Sequence, residues 1–218
     1  MNEIYAIVEG PTEQNFIEKV LAPYLGERNV ALYAAILRKP GENGGDVKFS
    51  RARNDIGKFL KQRADTQVTL MLDYYGIRKD WPGYGESKQQ TTHTIKHSVL
   101  MRETQREVQR IFPGENSQLR FIPYFSMHEI EALYFCDPAE LARNIGVGQA
   151  EIDAVIRECG EPEKINDRRD TAPSKRLEAL STRFRKTSTG LTIATRIGIP
   201  AMRAACPLFN QWITRLEA

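Results

Sequence analysis

Ten residues near the amino terminus constrain the fold more than any other stretch. Ile4-Tyr5-Ala6-Ile7-Val8 is a short apolar run carrying β-branched residues, and Glu9-Gly10-Pro11 stops it abruptly. Such a run fits a strand buried on both faces of a parallel sheet. Thr12 is placed to cap a following helix, in which Phe16, Ile17, Val20 and Leu21 recur at helical spacing. A strand leading straight into a helix delivers Glu9 to the carboxyl end of the sheet, where open α/β sheets bind their ligands. Glu13 falls in the first helical turn, facing the same crevice, although the helix dipole alone also favours an acid there. A charge closing an apolar strand needs solvent, a partner or a cation. Glu9 is therefore the stronger candidate of the two.

The pattern recurs. Residues 30–36 read as a second strand and residues 47–62 as a helix, with Val47, Phe49, Ile56, Phe59 and Leu60 on its apolar face. Gln67-Val68-Thr69-Leu70-Met71-Leu72 reads as a third strand, and it ends in Asp73. Two carboxylates on separate strand ends form an oxygen-only donor set of the kind that suits Mg²⁺ or Mn²⁺. A helix over 95–111 leads to a fourth strand over 119–125, which Pro123 pushes toward an edge or a bulge. His128-Glu129-Ile130-Glu131 follows, a third acidic cluster at a third strand end. Beyond Asp137, segments near 138–144, 149–159, 173–184, 191–197 and 200–216 are helical in pattern. Their apolar residues, among them Leu177, Phe184, Ile193, Met202, Phe209 and Trp212, supply the inner faces of a helical region. The expected organisation is an α/β domain over 1–136, with a mostly parallel, Rossmann-like sheet flanked by helices, and an all-helical region over 137–218 packed on it.

Two connections attract notice. Residues 40–46 are glycine-rich but match neither the Walker nor the dinucleotide fingerprint. Residues 74–92 form a long loop in which Tyr74, Tyr75, Trp81 and Tyr84 stand beside Arg78 and Lys79. These aromatics either stack on bases while the cations meet phosphates, or pack the loop onto the domain. His93 and His97 have helical metal-pair spacing without the glutamate of an HExxH pattern, and read as surface residues. A net charge of +3 neither requires nor opposes a nucleic-acid partner. Cys136, Cys159 and Cys206 are widely spaced, which argues against a disulfide framework and a structural zinc site. With no signal-peptide pattern at the start and no apolar segment of membrane-spanning length, the expected compartment is the cytoplasm.

The order of these blocks resembles the TOPRIM fold of topoisomerases, primases and the OLD (overcoming lysogenization defect) nucleases. More narrowly, it resembles a bacterial TOPRIM-related family with VEGxTE, DYYG and HExEAL blocks, here Val8-Glu9-Gly10-Pro11-Thr12-Glu13, Asp73-Tyr74-Tyr75-Gly76 and His128-Glu129-Ile130-Glu131-Ala132-Leu133. Pro173-Ser174-Lys175-Arg176-Leu177 and Cys206-Pro207-Leu208-Phe209-Asn210-Gln211-Trp212 resemble its C-terminal blocks, so the likeness spans most of the chain.

The resemblance implies acid/base or metal-binding work for Glu9, a place for Glu13 and Asp73 in the metal shell, and Mg²⁺ or Mn²⁺ as cofactor. TOPRIM proteins ordinarily carry DxD, but here Tyr75 stands two residues after Asp73. Either Glu129 or Glu131 supplies the missing oxygen, or the metal site is weakened or lost. Ser126 with Glu129 or Glu131 is a candidate for the later Ser/Glu contribution of OLD-type nucleases. Of the two glutamates, Glu129 is the expected ligand, because it lies nearer the strand end and helical positions two apart face different ways. Glu131 would then orient Glu129 or His128.

The expected function is metal-dependent phosphodiester hydrolysis of DNA or RNA, with Glu9, Glu13, Asp73 and Glu129 in catalytic roles. Lys175, Arg176, Lys186, Arg78 and Lys79 are candidates for the nucleic-acid backbone. Relatives by resemblance imply an ATPase partner and a role in defence against phage or plasmids. The alternative is a non-catalytic interaction or nucleic-acid-binding module with a degenerate metal site, and a third reading is hydrolysis of a small phosphorylated molecule.

Overall fold

The computed structural model describes residues 2–37, 47–165 and 171–218. Its contacts divide the chain into two compact units, Met1–Phe125 with Arg215–Ala218, and Ser126–Thr214.

The first unit is built on a five-stranded, mostly parallel sheet. At its centre lies β1 (Asn2–Val8), paired in parallel with β2 (Val30–Ile36) on one side and β3 (Gln67–Asp73) on the other. β4 (Phe121–Ile122) continues the sheet beyond β3, and the short β5 (Phe125–Ser126) also pairs with β3. Ile4, Ala6, Ile7 and Val8 are all fully buried, so β1 lacks the alternation of a half-exposed strand, as expected where helices cover both faces of a parallel sheet. Opposite Val8 lie Ile36 and Met71. Glu9 thus leaves β1 one residue past that register, and Asp73 closes β3 two residues past it.

Behind β1, α1 (Pro11–Phe16) passes through a π-helical turn (Ile17–Leu21) into α2 (Ala22–Gly26). Gly10, with extended backbone, is the N-cap, and Pro11 occupies the first turn, where a missing N–H costs nothing. Thr12 is therefore inside the helix and not at the cap expected of it. The π turn sits immediately ahead of Pro23, whose missing N–H interrupts the regular ladder. α3 (Phe49–Gln62) packs on β1 and β3, burying Phe49, Ala52, Ile56 and Leu60.

Residues 74–92 contain a short helix, α4 (Tyr84–Lys88), before α5 (His93–Ile111) begins at a Thr92 cap whose hydroxyl accepts from the Ile95 N–H at 3.3 Å. His97 is buried, contrary to the surface position expected. It shares a stripe of α5 with Leu100, Thr104 and Val108, and its ring meets Tyr124 edge-on at 5.7 Å. The expected fourth strand is also shorter than its apolar run. Leu119 and Arg120 belong to α6 (Ser117–Arg120), and the remainder is split around Pro123, which has no N–H for a ladder. Arg120 is held where it is by four carbonyl acceptors, those of Thr66, Glu115, Leu60 and Arg63 at 2.9, 2.8, 2.8 and 2.5 Å.

The second unit is helical. A 3-10 helix (Ile130–Cys136) is buried from Ile130 through Phe135. α7 (Pro138–Ile145) follows an Asp137 cap and ends at Gly146 in the left-handed region, φ 73°. α8 (Gln149–Cys159), α9 (Pro173–Leu180), α10 (Thr189–Ala205) and α11 (Pro207–Glu217) complete the chain. The break expected near residue 198 is a kink within α10, at Gly198 with φ 74° and ψ 159°, and the true helix boundary falls at Cys206-Pro207. α10 packs against the 3-10 helix, close enough that a Cβ on Gly190 would stand 3.0 Å from the Tyr134 hydroxyl. Phe184, Ile193, Met202, Phe209, Trp212 and Ile213 form the buried centre. Among the described residues no helix is long and apolar enough to cross a membrane.

Candidate functional site

The carboxyl crest of the sheet brings together the VEGxTE and DYYG blocks. After Asp73 the chain turns at once, the Gly76 N–H donating to the Asp73 carbonyl at 2.9 Å. Val47, just ahead of α3, clasps this turn from outside: its N–H donates to the Gly76 carbonyl at 3.3 Å and its carbonyl accepts from the Arg78 N–H at 3.2 Å. Glu9 reaches into the turn. A Cβ built on Gly76 would lie 3.1 Å from Glu9 Cδ and closer still to Oε2, so the absent side chain is the seat of the Glu9 carboxylate. Glu13, in the first turn of α1, brings Oε2 to 3.5 Å from the Cβ position of Gly10. Three carboxylates predicted from sequence therefore stand on neighbouring strand and helix ends. Among the described residues, no three His, Cys, Asp or Glu side chains gather closely enough to form a ready metal cluster.

In the loop that follows, packing is seen for two of the four aromatics. Tyr74 and Trp81 are buried. The Trp81 indole N–H donates to Thr104 Oγ1 at 2.8 Å, and its ring meets Phe49 and Phe125 edge-on at 5.5 and 5.6 Å. These two residues pack the loop onto the unit. Tyr75 is half exposed, and the Lys88 ammonium lies 4.8, 6.0 and 5.3 Å from the ring centres of Tyr74, Tyr75 and Tyr84, a cation–π cluster beside the crest. Arg78 and Lys79 are exposed on the same loop. The glycine-rich stretch 40–46 lies outside the described residues.

In the second unit the HExEAL block is an ion-paired nest. Lys186 donates to Glu129 Oε1 at 2.9 Å and stands 3.6 Å from Glu131 Oε1. The expectation that acids two apart face different ways does not hold here. Glu129 precedes the 3-10 helix with non-helical backbone, φ −59° and ψ 155°, so helical spacing does not govern it. Its other oxygen accepts the Ser174 N–H at 2.9 Å, capping the amino end of α9. Burial pushes the Glu129 carboxyl upward, but hydrogen bonds from Ser174 and Lys186, and the Lys186 charge, outweigh it and hold the group below the usual carboxylate range. Glu131, His128 and Ser126 are buried. Lys175 is paired with Glu178 at 2.6 Å, and Arg176 grips Glu158 through two bonds of 2.9 and 2.8 Å.

Sequence reasoning passed over Gly76, Lys88 and Ser174. Gly76 closes the DYYG block and Ser174 follows the proline of the PSKRL block, so both had a signal; nothing in the sequence singled out Lys88.

The DUF4276 model, described as a domain of unknown function, matches residues 8–217. Neither a curated protein nor a solved structure matches the chain.

Proposed function

This chain belongs to the DUF4276 family, and we propose that it is a divalent-cation-dependent phosphodiesterase of TOPRIM type acting on nucleic acid, with Glu9 and Asp73 at its centre. The observation that carries this reading is the seating of the Glu9 carboxylate against Gly76, in the turn that leaves Asp73. That cradle fits a hard divalent cation. Mg²⁺ is commonly held by only one or two carboxylates, with water and substrate phosphate completing its shell. Glu9 and Asp73 would hold Mg²⁺ or Mn²⁺, while Glu13, on the first turn of α1, does not gather with them as a third ligand.

Once bound, the ion would supply an activated water and neutralise charge on the departing oxygen. The rest falls to the chain's own groups. The parallel ladder ends at Val8 and Met71, so Glu9 follows it by one residue and Asp73 by two, which limits how far either carboxylate can stray. Arg78, Lys79 and Lys88 supply positive charge on the adjoining loop for the phosphate backbone. The resemblance extends the proposal to an ATPase partner and a role in defence against phage or plasmids.

Purified protein, alone and with the ATPase partner that the resemblance implies, should nick plasmid DNA or cut RNA in Mg²⁺ or Mn²⁺ and stop in EDTA. Glu9→Ala and Asp73→Ala should abolish cutting with little change in thermal unfolding. Inert wild-type protein on DNA, RNA and small phosphoesters under all these conditions would refute catalysis. The second reading, a binding module with a degenerate metal site, has its own observation. Lys186 already stands within ion-pair distance of Glu129 and Glu131, the acids that would have replaced the missing second aspartate.

A further inference from the structure

On the α3 face of β1, well away from the crest, the sheet carries an open aromatic groove. Tyr5 of β1 stacks on Phe59 of α3, ring centres 4.4 Å apart and planes 13° from parallel. On its other side lies Tyr33, its cross-strand partner on β2, at 5.5 Å and 31°. β2 is the edge strand, and Tyr33 remains 48% exposed. A groove of about 460 Å³ opens beside this stack, walled by Tyr5, Phe59, Lys58, Lys61 and Gln62.

The charge is one-sided. α3 carries four basic residues against one acidic. Among the described residues neither Lys58 nor Lys61 is paired with a carboxylate; each lies 5.5 Å from an aromatic ring, Lys58 from Phe59 and Lys61 from Phe112. The basic residues of α9 differ, since Lys175 and Arg176 are consumed by internal ion pairs.

Resting on the phosphodiesterase reading, we infer that this groove is a binding subsite for single-stranded nucleic acid, so that the substrate class is an unpaired strand. Stacked aromatics recognise the π-faces of unpaired bases, whereas a duplex hides those faces within itself. Lysines flanking such a platform track the phosphates. The exposed ring of Tyr33 offers one base a stacking partner, the groove beside Tyr5 and Phe59 receives its neighbour, and Lys58 and Lys61 meet the backbone between. Tyr5 and Glu9 lie on one strand four residues apart, about 13 Å at the rise of a β-strand. Ile7, between them on that face, is fully buried, so a strand leaving the groove reaches the carboxylate crest around the covering helix and not along β1 itself.

The test is equilibrium binding in EDTA, so that no metal is required. Labelled single-stranded DNA and RNA oligonucleotides and a duplex of the same sequence are titrated by fluorescence anisotropy. Wild type should prefer either single strand to the duplex by at least about tenfold. Tyr33→Ala should lose about tenfold in single-strand affinity, within the range for one stacked base, while Tyr33→Phe keeps it. Lys58→Glu with Lys61→Glu should weaken binding further and flatten the dependence of log K on log salt by about 1.4, two phosphates at about 0.7 each. Thermal unfolding of each variant separates lost binding from lost fold. Equal affinity for duplex and single strand, or unchanged binding by folded Tyr33→Ala and Lys58/Lys61 variants, overturns the subsite. A protein that binds through the groove but never cuts keeps the subsite and loses the nuclease. One that cuts duplex independently of the groove does the reverse.

Discussion

Gly76→Ala is the sharpest probe of the crest, because the structure isolates what it would change. Gly76 does not occupy the left-handed region, so an alanine fits its backbone. The new methyl would stand 3.1 Å from Glu9 Cδ and nearer to Oε2, below ordinary contact distances. Glu9 must swing aside by about 1 Å, and a displacement of that size at a reacting centre can cost about 100-fold in rate. The fold should barely register it. Reduced freedom of the unfolded chain returns roughly 0.4–1 kcal/mol, against the small cost of moving a flexible side-chain end. The melting temperature should stay within about 4 °C, the shift that about 1 kcal/mol gives a chain of this size. Manganese affinity by calorimetry and phosphodiester cleavage should both fall toward the Glu9→Ala values. Full metal affinity and full activity in folded Gly76→Ala, with Glu9→Ala inactive, would show that the seat does not position Glu9. Loss of the fold would show that Gly76 serves the turn itself.

Other outcomes follow from buried groups. His97 is held neutral, since burial lowers its pKa from 6.5 to about 4, aided by the nearby charges of His93 and Arg215. The unfolded chain binds the extra proton, so stability is complete above pH 6.5 and declines down to about pH 4, by about 3 kcal/mol in all; His97→Phe should flatten that slope in pH-dependent urea melts. Arg120→Met leaves four carbonyls without their shared donor and should cost about 3–5 kcal/mol by chemical denaturation at unchanged m-value, a loss under 1 kcal/mol contradicting the hub. Lys186→Met should destabilise the protein at pH 7. Because Glu129 is held below its ordinary pKa by Ser174 and Lys186, its contribution is present above about pH 4.5 and fades below it, so the gap between wild type and variant should narrow in acid. A gap independent of pH would remove the ion pair as its cause. Cys136 and Cys206, with sulfurs 3.3 Å apart, should cross-link when diamide accepts their two protons and two electrons, leaving one of the three thiols titratable; three remaining thiols would refute the pairing.

What was legible in the sequence was set by local pattern. Apolar runs ending at Val8 and Leu72 announced parallel strands, and the next residue of each announced the crest, because a strand of that kind has only one place to end. The helices over 149–159 and around 47–62 followed from spacing alone. Misreadings arose where a distant partner overrode a local preference. Leu119-Arg120 look like strand, yet Arg120 is drawn into a helical turn by carbonyls more than fifty residues away. His97, weighed only as half of a metal pair that lacks the HExxH glutamate, reads as a surface residue, although its spacing with Leu100, Thr104 and Val108 marks the inner face of α5. Glu129 and Glu131 were judged by helical geometry, which the extended backbone at Glu129 sets aside. The Tyr5 groove was missed for a different reason: its rings come from β1, β2 and α3, and no window of sequence contains them together.

Two glutamates of the second unit cap helices, whereas Glu9 follows a strand, and this difference governs how activity data should be interpreted. Glu129 accepts a backbone N–H at the start of α9, and Glu163 accepts those of Leu208 and Phe209 at the start of α11, at 3.0 and 2.9 Å. A carboxylate at a helix amino end satisfies donors that the helix cannot satisfy itself and meets the positive end of its dipole. Burial raises the Glu163 carboxyl despite those bonds, with nearby Glu161 adding to the shift. Substituting either residue strips a cap from a helix in the second unit, so lost activity there reports lost structure unless unfolding is measured alongside. Glu9 and Asp73 lie instead at strand ends whose ladders are complete without their side chains. An inactive, folded Glu9→Gln or Asp73→Asn therefore speaks to chemistry in a way that inactive Glu129→Gln does not, and the enzyme assignment stands or falls on the first unit.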